Sequence, residues 1–153
     1  MMRHYQIYLL QEKVASHFFG QETKLFQLFS DRENAPIADR CIFDKQIEFI
    51  SKPLPTLLLQ KKIKLSLKGY PSYSEIDLKH RIKIQKPNSC AELLIKGQYL
   101  SLTSEGGPEA ETIFFEILRK VDPCFFAVDV THNHYGWLNP IRQVKYFSSS
   151  YWN

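Results

Sequence analysis

The chain has 153 residues, 44% of them hydrophobic and 14% aromatic, with 20 basic against 16 acidic residues and a net charge of +4. That length and apolar content bury about two-thirds of the unfolded surface and exclude a disordered chain. The mild positive balance falls short of the electrostatic footprint of a dedicated nucleic-acid binder.

No apolar run is long enough to span a bilayer. The N-terminus lacks the uninterrupted apolar stretch and small-residue cleavage site of a secretory signal, so the expected location is the cytoplasm. Cys41, Cys90 and Cys124 are odd in number and widely spaced, which fits reduced thiols and no zinc or redox motif. We expect one domain over residues 1–147 and a tail over 148–153, where Ser148-Ser-Ser150 begins.

Residues 3–10 are dense in aromatic and aliphatic side chains and predict a strand. From 11 to 19 the apolar positions Val14, Ala15, Phe18 and Phe19 follow helical spacing, and Gly20 suits a left-handed end to that helix. A second helix is expected from Glu22 to about Phe29, followed by a polar break over 31–36. A third helix is expected within 37–51, with Ile42, Ile47 and Ile50 on its apolar side, ended by Pro53 and Pro55.

The centre predicts strands. Residues 62–68 alternate strictly with Ile63, Leu65 and Leu67 on one side, and 79–85 alternate with Ile82 and Ile84. Strands over 91–95 and 99–103 flank Lys96-Gly97-Gln98, a hairpin turn. Pro108 then opens a helix over 109–121 whose buried side is Ile113, Phe114, Ile117, Leu118 and Val121. Asp122-Pro123 stops it. The apolar run 124–130 is the pattern of a central strand, and the segment from Tyr135 to Pro140 reads as a turn. The expected fold class is α+β: a mostly antiparallel sheet, covered on one face by N-terminal helices and by the single helix of the C-terminal half.

Chemistry is sparse. Asp129, His132 and His134 are the best metal or catalytic candidates, because two histidines beyond a strand can aim nitrogens one way with Asp129 orienting one of them. They supply an incomplete shell, and a polar turn explains them, so no metal is expected. Lys62, Lys64 and Lys68, with Lys79, Arg81 and Lys83, would form a basic patch if their strands paired. No aromatic platforms are interleaved among them, and alternating lysine ordinarily keeps a sheet face solvated. Direct nucleic-acid binding and metal-assisted hydrolysis therefore stand only as alternatives. Salt-dependent DNA titration tests the first and elemental analysis the second. No nucleophile–base pair or phosphate loop supports an enzyme. Val14 and Phe18, with Ala15 and Phe19 beside them, are first explained by core packing, since a large apolar residue on a helix is usually buried; the stripe is nevertheless wide enough for part of it to face outward, as a protein-binding surface would.

Several segments resemble the SirA family of sporulation inhibitors of replication. They include Arg3-His4-Tyr5, His17, Phe19-Gly20, Glu22, Phe26, Leu28-Phe29, Lys45-Gln46-Ile47, Ile50, Pro53 and Pro55. The resemblance is strongest over 109–120, in Pro123-Cys124-Phe125 and over 135–140. It implies a small cytosolic protein, without cofactor or catalysis, that binds the N-terminal domain (domain I) of the initiator DnaA and blocks new rounds of initiation. Carried over residue by residue, the implied binding residues are Val14, Phe18, Gln46 and Phe49. Gln46 matches outright, whereas Val14 is smaller than the usual aromatic and Phe18 and Phe49 stand where tyrosines are found.

Overall fold

A computed structural model describes residues 2–139; Pro140 and the expected tail lie outside the described residues. The elements, in chain order, are β1 (Met2–Leu9), α1 (Glu12–His17), α2 (Glu22–Asn34), a 3₁₀ turn (Ile37–Asp39), α3 (Arg40–Ile50) and α4 (Thr56–Leu67). They continue with β2 (Ser74–Ile76), β3 (Lys79–Ile84), β4 (Ser89–Ile95), β5 (Leu100–Gly106), α5 (Glu109–Val121), β6 (Phe125–Asp129) and β7 (His134–Trp137). The strands form one seven-stranded antiparallel sheet in the order β2-β3-β4-β5-β1-β6-β7.

Directly opposed residues of an antiparallel pair share a face, so the register sorts the side chains. Ile7, Leu100, Leu102, Leu93, Ile95 and Ala127 lie on one face. α5 packs there, and α4 packs against α5. Tyr8, Phe126, Val128, Tyr135 and Trp137 lie on the other face. α2 covers that side, with the Phe29 ring 4.6 Å from Tyr8 and the Phe26 ring stacked 4.5 Å from Tyr135. The helices are thus divided between the two faces and not gathered on one. The reason is β6: Phe125, Phe126, Ala127, Val128 and Asp129 are all buried, so a strand apolar on both sides needs cover on both.

The pattern expected for α5 and β6 holds. Phe114, Leu118 and Phe125 are fully buried, and Ile117 and Val128 nearly so, while Ile113 packs against the cluster half-buried. β1 is fastened to α5 by Arg3, whose Nε donates to Glu111 Oε1 at 2.6 Å and whose Nη2 donates to the Gly107 carbonyl at 3.0 Å. Ser104 Oγ donates to the same Glu111 oxygen at 2.8 Å. Burial, and then the charge of Glu111, push the neighbouring Tyr5 hydroxyl up to about 12. Gly106 enters α5 at φ +77, where an added Cβ would sit 2.3 Å from the Asn88 carbonyl oxygen.

Residues 62–68 are not a strand. Residues 62–67 are the second half of α4 and Lys68 is its cap; in that helix Leu59, Ile63 and Leu67 are fully buried while Leu65 is 50% exposed. The lysine-rich surface expected from paired strands is therefore absent in that form. Lys62 and Lys64 are helical, Lys68 caps the helix, and all three are exposed; only Lys79, Arg81 and Lys83 line up on a strand, with Lys79 paired to Glu92 at 3.3 Å. Two strands went unforeseen: β2, whose three residues are all exposed, and β7, which occupies part of the expected turn.

Candidate protein-binding face

α3 is an amphipathic helix with two distinct long sides. At 100° per residue, positions 43, 47 and 50 fall on one side and 42, 46 and 49 on another. The first set packs inward: Ile47 is buried, and Phe43 and Ile50 are half-buried. The helix is fixed to α2 by Arg32, whose Nε donates to Asp44 Oδ1 at 2.9 Å. Arg40 reaches back to the Glu33 and Ala35 carbonyls at the end of α2.

The second set faces solvent. Phe49 is 81% exposed, Gln46 is exposed and Ile42 is 57% exposed. Sequence reasoning grouped Ile42 with the inward residues, yet Ile42 and Ile47 are five positions and so about 140° apart. The spacing 42, 46, 49 was the available signal for placing Ile42 beside Phe49. Ile37, in the preceding 3₁₀ turn, is 83% exposed as well. Exposed aromatic and aliphatic groups in a row on a well-anchored helix are the form of a protein-docking surface.

α1 supplies the other two candidates. It is six residues long, with Ala15 buried beneath it. Val14 and Phe18, one helical turn apart, are both half-buried and packed against the edge of the core. Phe18 is the residue at which the helix ends, and its ring meets that of His17 edge-on at 4.8 Å. The four residues thus differ: Gln46 and Phe49 stand clear, whereas Val14 and Phe18 show only part of their surface.

The two helices meet end to end. The Gln11 N–H donates to the Ile50 carbonyl at 2.9 Å, and its side-chain Nε2 donates to the Phe49 carbonyl at 2.7 Å. The start of α1 is therefore pinned to the last turn of α3. Its far end is pinned differently. Gly20, at φ +84, donates its N–H to Glu22 Oε2 at 2.7 Å, and Trp137 Nε1–H donates to the same oxygen at 3.1 Å.

The remaining candidates take structural places. Asp129, 4% exposed, accepts from the His132 N–H at 3.3 Å and lies 2.7 Å from His132 Nδ1, closing the turn after β6. The His134 ring is 6.3 Å from that of His132. Among the described residues no group of three His, Cys, Asp or Glu side chains could hold a metal ion. Nor is any helix among them long and apolar enough to cross a membrane. No disulfide is present among the described residues, in which Cys41 is exposed, Cys90 half-buried and Cys124 buried. Buried His80 joins α4 to the sheet: its Nδ1 lies 2.8 Å from the Tyr73 hydroxyl and its Nε2 meets Gln60 Oε1. Burial lowers its pKa.

The family model described as sporulation inhibitor of replication protein SirA matches residues 3–142. A Bacillus subtilis (strain 168) protein named sporulation inhibitor of replication protein SirA is 39% identical over 148 residues, covering 95% of this chain and 99% of that protein.

Proposed function

The chain belongs to the SirA family, and from that premise we propose that it inhibits the initiation of DNA replication during sporulation by binding the N-terminal domain (domain I) of DnaA. The observation that carries this reading is Phe49: a large aromatic, 81% exposed, on a helix whose opposite side is anchored in the protein. Such a ring gains little in the free protein and much when a partner buries it. Gln46 beside it supplies a directional polar contact. Val14 and Phe18 extend the surface along α1, which Gln11 joins to α3.

Inhibition of this kind is by occupancy. Bound to DnaA domain I, the chain obstructs the contacts that domain makes with other replication proteins, and no bond need be made or broken. The action fits a cytoplasmic protein without cofactor. With Phe18 and Phe49 lacking phenolic hydroxyls, affinity rests on apolar burial and depends little on salt.

The test is binding to purified DnaA domain I by calorimetry, paired with thermal unfolding of the same samples. Phe49→Asp and Phe18→Asp are each expected to abolish binding, Phe49→Asp with an unfolding midpoint close to that of the parent. Tight binding by a folded Phe49→Asp variant would overturn the reading.

A further inference from the structure

The resemblance to the family is strong around residues 135–140, far along the chain from α1 and α3, and the structure gives part of that segment a task. Trp137 stands on β7 at the edge of the sheet, 6% exposed, its ring edge-on to Phe126 at 4.9 Å. Its indole N–H reaches Glu22 on the first turn of α2 at 3.1 Å. The same carboxylate oxygen accepts the Gly20 N–H at 2.7 Å. Gly20 belongs to the turn that leaves α1, in which the Gln21 N–H donates to the Phe18 carbonyl at 2.7 Å. One oxygen thus connects the sheet edge to the turn that begins at Phe18.

A second pair of contacts braces the same junction. The Tyr135 hydroxyl lies 2.8 Å from Thr23 Oγ1, and the Tyr135 ring stacks on Phe26 of α2. β7 therefore holds the first turns of α2 in place at two points, and Glu22 transmits that hold to the end of α1. Leverage follows from length. A helix of six residues is far too short to persist alone, so its last residue takes the orientation its attachments impose.

The geometry points to Trp137 and Glu22 as positioning residues that set the orientation of Phe18 before any partner arrives. This rests on the assignment of Phe18 to the DnaA-binding face. Ordering a side chain in advance removes part of the entropy lost on binding, so the tether is expressed as affinity. Neither residue needs to touch the partner.

The experiment combines nuclear magnetic resonance with a double-mutant cycle on the full chain, below the unfolding temperature of every variant. Trp137→Phe keeps a ring in the site and removes the N–H. In that variant the Gly20 amide proton is expected to move upfield and the Phe18 ring signals to shift. Affinity for DnaA domain I is expected to fall about fivefold. In a Phe18→Leu background, chosen because some binding survives, the same change is expected to cost less than about twofold, since the residue it acts through is gone. Glu22→Ala, outside the core, should reproduce this coupling and stands in if Trp137→Phe does not fold. Unmoved Gly20 and Phe18 signals, or equal losses in both backgrounds, would overturn the positioning role. If instead folded Phe18→Asp binds normally, the binding-face assignment fails, and the resonance measurements alone decide whether the tether orients Phe18.

Discussion

α3 and α4 are built alike and present different surfaces. Each drives a narrow apolar stripe inward, with Ile47 on α3 and Leu59, Ile63 and Leu67 on α4. Each leaves large apolar groups outside: Ile42 and Phe49 on the first, Leu57 at 86% exposure and Leu65 on the second. Exposure alone would rank Leu57 above Phe49. The surroundings separate them. On α4 the exposed leucines are interspersed with Lys61, Lys62 and Lys64, and Lys68 caps the helix, all exposed, which keeps that side solvated. On α3 Phe49 and Ile42 form one line with Gln46 and a single lysine, Lys45, next to the helix that carries Val14 and Phe18. An exposed apolar residue indicates a binding surface by its neighbours, not by its area.

The largest effect sharpens the inward half of this comparison. Ile63→Ala is expected to cost about 2–5 kcal/mol in urea unfolding, because a fully buried side chain leaves a cavity. Leu65→Ala, two residues on, is expected to stay within about 0.5 kcal/mol. Equal losses would restore residues 62–68 to a strand. Next comes the outward half. Phe49→Ala is expected to weaken DnaA domain I binding by about 2 kcal/mol, whereas Leu57→Ala leaves it unchanged. A matching loss from Leu57→Ala would erase the distinction between the two helices. Ile42→Ala is expected to cost about 1 kcal/mol of the same affinity. Phe18→Tyr should leave binding close to the parent value.

The smallest effect is a pH dependence confined to the α4 side. Folding lowers the His80 pKa, so the unfolded chain binds the proton more readily than the folded one. The stability His80 provides is present above its unfolded pKa of about 6.5 and declines as the pH falls below it. In thermal unfolding, His80→Gln is therefore expected to cost more at pH 8 than at pH 5.5. A cost that grows on acidification would reverse the assignment of a neutral imidazole between Tyr73 and Gln60.

Much of this architecture was legible in the chain. Ile113 to Val121 carries a clear helical stripe, and 124–130 is an unbroken apolar run, so α5 and β6 were readable from spacing alone. The failure at α4 has a definite cause. Ile63, Leu65 and Leu67 satisfy a period of two, while Leu59, Ile63 and Leu67 satisfy i, i+4, i+8; the choice turned on Leu59, which lies outside the alternating segment. β2 exposes all three residues and β7 buries only Trp137, so neither carries an alternation to find. At the candidate face, Gln46 and Phe49 came from resemblance, and helical spacing accounts for them only once α3 is in place. Ile42 was misplaced by treating every isoleucine of one helix as inward. The link from Trp137 to Glu22 spans 115 positions and has no local pattern.

The strand order also has a consequence for biosynthesis. β1 is made before the other described strands yet lies inside the sheet, fifth of seven, paired on one side with β5 (Met2 opposite Glu105) and on the other with β6 (Ile7 opposite Ala127). Both neighbours are translated about a hundred residues later, so the opening strand must wait, unpaired, until nearly the whole described chain has left the ribosome. Contacts so distant in sequence slow folding and prolong the exposure of strand edges that invite aggregation. Deleting residues 2–9 would remove an inner strand that joins β5 to β6, and the expected product is insoluble chain, recovered in inclusion bodies.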